Sequence, residues 1–295
     1  MKKLNRKATI TYTMLTIPAL ILYIVFWLVP LVIGINYSFT DWNGLKTSYS
    51  YVGLKNYLSV FAQDRTRSSL LFTAKYSVLL VIFVMAISMI LTLMLTYVVA
   101  MRLRTAFRSI FFFPAVLSMI TVSLTWNQIF YRVLPAIGQS LHIEFLSQNL
   151  LGNPKTAMWG ILIINIWQGI AQPFVILLAG IQNVPKDQYE AAKIDGASPI
   201  ELFLHITVPY MIPTINFAFV LVLKAGINVF DYIQGTTGGG PMQVTESAGV
   251  LIYTLAFKSQ KAAQASAFSV ILLIIVCVVS LLQQKISSRY EVGQL

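Results

Sequence analysis

The sequence predicts an all-α protein that crosses a membrane six times. Three observations carry that expectation. Of 295 residues, 57% are hydrophobic and 11% are charged; the apolar residues gather into six long runs; and Asp, Glu, Lys and Arg are absent from all six. A soluble domain carries about 25% charged residues, so this chain lacks the charge to cover a water-facing surface, and a mean hydropathy of +0.74 fits a surface facing lipid. The net charge of +11 would suggest nucleic acid in a soluble protein. Here the basic residues sit at the ends of the apolar runs, where they read as orientation signals and contacts to anionic headgroups, and no nucleic-acid partner is expected. Cys277, the single cysteine, allows no internal disulfide and reads as a buried small hydrophobe.

The elements follow in order. Residues 1–7 are basic and resemble the start of a signal peptide, but the run after them, Ala8–Thr40, is too long for one and lacks a clean small-residue cleavage site. A retained first helix is expected. The other runs are Tyr76–Met101, Ser109–Tyr131, Thr156–Pro185, Ile206–Leu223 and Ala262–Gln284. A helical span needs roughly 17–25 residues, so each run supplies one helix; the fifth, near the lower limit, is expected to continue past Lys224. The piece Ala248–Phe257 is too short to cross and reads as re-entrant or interfacial. Six spans put both termini on one side. Lys2, Lys3, Arg6, Lys7, Arg102, Arg104, Arg108, Lys186, Lys193, Lys285 and Arg289 fall there on short connections and tails, which marks that side as cytoplasmic. The expected division is a tail, first helix and outer loop over 1–68, a five-helix core over 69–284 with a cytoplasmic loop at 184–209, and a cytoplasmic tail over 285–295.

The stretch from Val184 to Pro209 interrupts the apolar pattern and carries helix-end signals. Asp187 is expected to cap a short helix, with Glu190 as its reciprocal partner. Gly196 suits the left-handed residue that ends a helix. Ser198, Pro199 and Glu201 supply an N-cap, a first-turn proline and a capping-box acid for a second helix, and Pro209 marks the turn into the fifth span. These residues also resemble the EAA loop of binding-protein-dependent ABC importers: Glu190-Ala191-Ala192, three residues, Gly196, nine residues, then Ile206-Thr-Val-Pro209. The resemblance implies the type I ABC importer permease fold. It also implies a coupling helix that docks an ATPase through Glu190, Ala191, Ala192, Asp195, Gly196, Ile206 and Pro209.

Other stretches resemble the carbohydrate branch of that family. Tyr51-Val-Gly-Leu-Lys-Asn-Tyr57 looks like its outer-loop signature. Arg104-Thr-Ala-Phe-Arg108 with Phe113-Pro114 looks like the basic start of its next helix. Phe230-Asp231, Thr237-Gly-Gly-Gly-Pro241, Ile252-Tyr253 and Ala256-Phe257 look like its Gly-Gly-Pro region. The match runs over about residues 10–290 and resembles the maltose- or glycerol-phosphate-type first permease, in a shorter form without that member's extra helices and outer domain. It implies a bacterial cell membrane, a homologous second permease, two ATP-binding cassette subunits, an extracytoplasmic solute-binding protein and a sugar substrate.

No enzyme chemistry is visible. His142 and His205 are far apart in sequence, no metal-ligand cluster or nucleophile motif occurs, and without a P-loop ATP must be hydrolysed by another chain; no cofactor is expected. Polar groups inside a span face a cavity or another helix. Asn165, Gln168 and Gln172 share one helical face, and Trp167 lies beside it. Helix five ends with Asn228, Phe230 and Asp231; helix three offers Ala115 and Met119, then Trp126 and Asn127. The resemblance implies that Ala115, Met119, Asn165, Gln168, Gln172 and Asn228 line the sugar path, with Trp167 and Phe230 beside them. The residues alone leave two readings of the Asn165–Gln172 stripe: cavity lining, or polar bonding between helices. Two other classes stand beside the sugar permease, a permease for another small solute and a membrane scaffold with no transport role.

Overall fold

The computed structural model of the chain describes residues 6–287, with side chains over 14–285. Lys2, Lys3 and Arg289, used above for orientation, lie outside the described residues, as do the side chains of Arg6 and Lys7. Twelve helices are distinguished here among the described residues. They are α1 Met14–Ser38, α2 Lys55–Phe61, α3 Asp64–Val98, α4 Met101–Val116, α5 Met119–Ser140, α6 Ala157–Gly169, α7 Ala171–Gln182, α8 Lys186–Ile194, α9 Pro199–Ile227, α10 Asp231–Thr236, α11 Ala248–Lys258 and α12 Ala262–Lys285. Extended pairing is limited, among the described residues, to one bridge between Thr40 and Tyr51.

Among the described residues, four helices are long and apolar enough to cross a membrane unbroken: α1, α3, α9 and α12. The third and fourth runs differ from the single helices expected of them. The helices α4 and α5 meet at 94°, and α6 and α7 at 42°; counting each bent pair as one span gives six. The sharper break follows Pro114, whose ring and missing N–H disrupt the preceding turn, and Leu117 and Ser118 are extended. A second difference is at Pro209. It is no turn, because α9 runs continuously from Pro199 through the span. The extra residue is taken up in a π turn at Phe203–Thr207, where Val208 N–H bonds to Phe203 O. Cys277 is exposed rather than buried; a small apolar side chain on an apolar span can face lipid.

Breaks in a span free backbone carbonyls that lipid cannot satisfy, and neighbouring side chains supply the donors. Gln168 Nε2 donates to Pro114 O at 3.1 Å and Leu117 O at 2.7 Å. Ser88 Oγ donates to Ile170 O, at the bend between α6 and α7, at 3.2 Å. Arg104 caps the end of α3 by donating to Thr96 O at 2.7 Å and Val99 O at 3.1 Å.

By internal packing the chain falls into two units: the residues up to Gln63 with Ile252–Leu273, and Asp64–Leu251 with the chain from Ile274 onward. In the first unit, α1 leaves its apolar side chains exposed from Met14 to Ile33. The loop after it is ordered by Asn56, which donates to Ser38 O and Thr40 O at 2.9 and 2.7 Å. In the second unit a core gathers Tyr76, Leu80, Val84, Ile161, Ile164 and Ile233; another gathers Leu95, Phe174, Leu177 and Met211. Gly226 lets α9 cross close to α3, since a Cβ there would lie 2.8 Å from Ser77 Cα. Inward-facing hydroxyls of α3 bond back along their own helix, as Thr73 does to Ser69 O at 2.8 Å and Ser77 to Thr73 O at 2.6 Å. Such small polar residues allow the tight packing that holds helices together in lipid.

Candidate functional site

Two places in the second unit carry the residues singled out from sequence. The first is a cavity of about 330 Å³ lined by residues of α3, α4, α5, α6, α7, α9 and the turn into α10. Its walls include Ala115, Met119, Asn165, Gln168, Gln172, Asn228 and Phe230. Trp167 is absent from that lining; its ring meets Trp126 edge-on at 5.8 Å, because it points away from the face shared by Asn165 and Gln168. Helix five was expected to end with Asn228, Phe230 and Asp231; Asn228 is at its end, and Phe230 and Asp231 lie beyond it. The helix ends at Ile227, Asn228 caps it, and Phe230 is non-helical at φ −139° before Asp231 restarts the chain.

The polar stripe of α6 and α7 divides by burial. Asn165 and Gln168 are 4% and 6% exposed. Asn165 Nδ2 donates to Tyr76 Oη at 3.0 Å. Gln168 spends both amide hydrogens on the carbonyls at the α4–α5 break, and its Oε1 accepts from Tyr232 Oη at 2.9 Å. These two side chains face the cavity but act as bonds between helices, so both readings of the stripe hold in part. Gln172 is exposed and keeps its amide open to the cavity. Asn228 is exposed too, its Nδ2 donating to Lys224 O at 3.0 Å. Asp231, also exposed, brings a carboxylate to the same wall.

The second place is the hairpin of α8 and the start of α9. Asp187 does not cap α8. The helix starts at Lys186 after Pro185, which has ψ 131° and no side-chain cap bond; Asp187 lies in the first turn, where a carboxylate favours the positive helix end. The end of α8 is closed as expected. Gly196 has φ +83°, Gly196 N–H donates to Lys193 O at 3.1 Å and Ala197 N–H to Ala192 O at 2.9 Å. This pair of bonds is the Schellman closure that a left-handed glycine permits. Ser198 and Glu201 form the capping box, with Ser198 N–H to Glu201 Oε2 at 2.7 Å and Glu201 N–H to Ser198 Oγ at 3.4 Å.

The hairpin's surface is unusual for a polar segment. None of the residues of α8 is buried. Ile194 is 86% exposed and Ile200 70%, and Glu190, Ala191, Asp195 and Gly196 are exposed with them. Ile206 is half-buried and Pro209 half-buried at the root of the span. Sequence reading missed Ile194 and Ile200. The signal was present, since both are large apolar residues inside an otherwise polar stretch, but only the fold shows that neither turns inward.

The chain is matched over residues 8–292 by the family described as the binding-protein-dependent transport system inner membrane component. It is 40% identical to a multiple sugar-binding transport system permease protein of Streptococcus mutans, over 95% of this chain and 96% of the relative. It is 32% identical to a probable starch degradation products transport system permease protein of Thermoanaerobacterium thermosulfurigenes, over 97% of each. In fold it is similar to a chain of a bacterial ABC transporter involved in the import of the acidic polysaccharide alginate, with a TM-score of 0.82, 22% identity and 96% of each chain covered.

Proposed function

Since this multi-pass membrane chain belongs to the family of binding-protein-dependent transport system inner membrane components, we propose that it forms half of the path of an ATP-driven sugar importer. The observation that carries the reading is the hairpin. Its ends are closed by their own backbone and capping bonds, yet it holds Ile194 and Ile200 in water beside Glu190 and Ala191. Exposed apolar groups on a rigid support are what a partner's groove would cover. The partner is an ATPase subunit, and a homologous permease completes the path. A solute-binding protein delivers the sugar on the opposite face, and both termini of this chain lie in the cytoplasm of a bacterial cell. The names of the sugar-permease relatives support the substrate class. The cavity supports it as well: its volume falls in the range of small-molecule sites, and Gln172, Asn228 and Asp231 offer hydrogen bonds to hydroxyl groups. ATP hydrolysis belongs to the partner chains.

The deciding experiment is co-purification with the ATPase subunits, paired with uptake of labelled sugar. Glu190→Lys combined with Gly196→Val is expected to abolish both. ATPase association that survives the double substitution would remove the docking reading. Gln172→Ala is expected to leave association intact and to lower uptake and sugar-stimulated ATP hydrolysis; unchanged values would remove the cavity from the path.

A further inference from the structure

A docking helix that buries none of its residues needs a rigid connection to the spans, or its motion would dissipate. Among the described residues, the side-chain hydrogen bond from α8 to a span is made by one tyrosine. Tyr189 turns back from the helix, half-buried, and its hydroxyl lies 2.7 Å from Thr207 Oγ1. Thr207 is fully buried at the root of α9 and bonds in turn to Leu202 O at 3.3 Å, across the π turn. Tyr97, itself exposed, stands near Tyr189 and Thr207. Tyr97 sits in a second π turn, Met94–Val98, which ends α3. One hydroxyl bond therefore joins the hairpin helix to α9 at a π turn, and the π turn that ends α3 stands beside it. Such turns interrupt the regular hydrogen-bond ladder and recur at functional places.

We infer that Tyr189 is the positioning residue through which movement of α8 reaches α9, the Tyr189–Thr207 hydroxyl bond acting as the linkage between ATPase and path. This rests on the docking reading above. Glu190, Ala191, Ile194 and Ile200 are exposed, whereas Tyr189 turns back to Thr207, so binding and transmission fall to different side chains of one hairpin. The same span α9 also lines the cavity, at Val222 and Ala225, which gives the bond a direct route to the path.

The test uses the full importer in proteoliposomes, with the permease pair, both ATPase subunits and the binding protein. Tyr189→Phe removes one hydroxyl and keeps the ring. The expected result is full ATPase association, ATP hydrolysis that continues, and sugar delivered per ATP reduced several-fold. Thr207→Val, which also loses the bond to Leu202 O, is expected to do at least as much, and the double variant to be no worse than Thr207→Val alone, because both substitutions remove the shared Tyr189–Thr207 bond. Wild-type sugar per ATP in Tyr189→Phe overturns the inference. Uptake and hydrolysis falling together at constant ratio would make the bond merely structural and also overturns it. Loss of ATPase from Tyr189→Phe, with wild type retaining it, would place Tyr189 in docking rather than transmission. Wild type that never binds the ATPase removes the underlying reading itself.

Discussion

The two ends of α9 are built in opposite ways. Beyond its C-terminal end, the glycine-rich turn is drawn into the core. Thr245, Glu246, Ser247 and Ala248 are all at most 4% exposed. Glu246 is held by a two-pronged ion pair with Arg65, both contacts 2.7 Å, Ser247 Oγ donates to Val229 O at 2.7 Å, and Ala248 N–H donates to Thr73 Oγ1 at 2.9 Å. At the N-terminal end, the hairpin satisfies its own backbone and little else, and its isoleucines stand in solvent. One end is complete within this chain and the other leaves apolar groups bare. The docking proposed above gives that contrast its sense: an element fixed in the permease is tied by buried polar bonds, and an element that would meet a partner is closed locally and left bare.

Three substitutions would break or sharpen the contrast, in descending order of their effect on the permease alone. Arg65→Ala strands the buried Glu246 carboxylate. It is expected to cost about 3 kcal/mol, near the low end for an unpaired buried charge, because Arg65 itself is 35% exposed. Thermal unfolding in detergent reads this, and a shift no larger than that of a surface alanine would mean the turn is not held by the pair. Gly196→Ala meets no atom within 4 Å, but its φ of +83° is costly for a residue with a Cβ, by about 1 kcal/mol. The loss should be local, seen as faster amide exchange over residues 191–201 with the unfolding temperature nearly unchanged. Ile194→Ser is expected to move the permease's stability by less than about 0.5 kcal/mol while weakening ATPase association measurably. A clear loss of thermal stability would show that Ile194 is packed within the permease after all.

Much of this was legible before the fold. The spans could be read because lipid demands long uncharged runs. The hairpin could be read because its capping residues act locally: Gly196, Ser198 and Glu201 make bonds within a few residues of themselves. The failures are also local in cause. Asp187 competes with Pro185 for the start of α8, and the proline's fixed geometry wins. The bends after Pro114 and at Ile170 were hidden because composition shows that a run is apolar without showing whether it is straight.

The sequence by itself determined a membrane class, six apolar runs, a capped hairpin and, through spaced motifs, the family. Those features depend on transfer to lipid and on contacts near in sequence. The tertiary structure decided what each polar side chain does. Gln168 lies 54 residues from Pro114 and 64 from Tyr232, and Arg65 lies 181 from Glu246; no local pattern announces such pairs. A buried donor in a span must find an acceptor somewhere, and packing alone selects which one. For that reason Asn165 and Gln168 became bonds between helices, Gln172 stayed open to the cavity, and Tyr189 turned from its exposed helix back to Thr207.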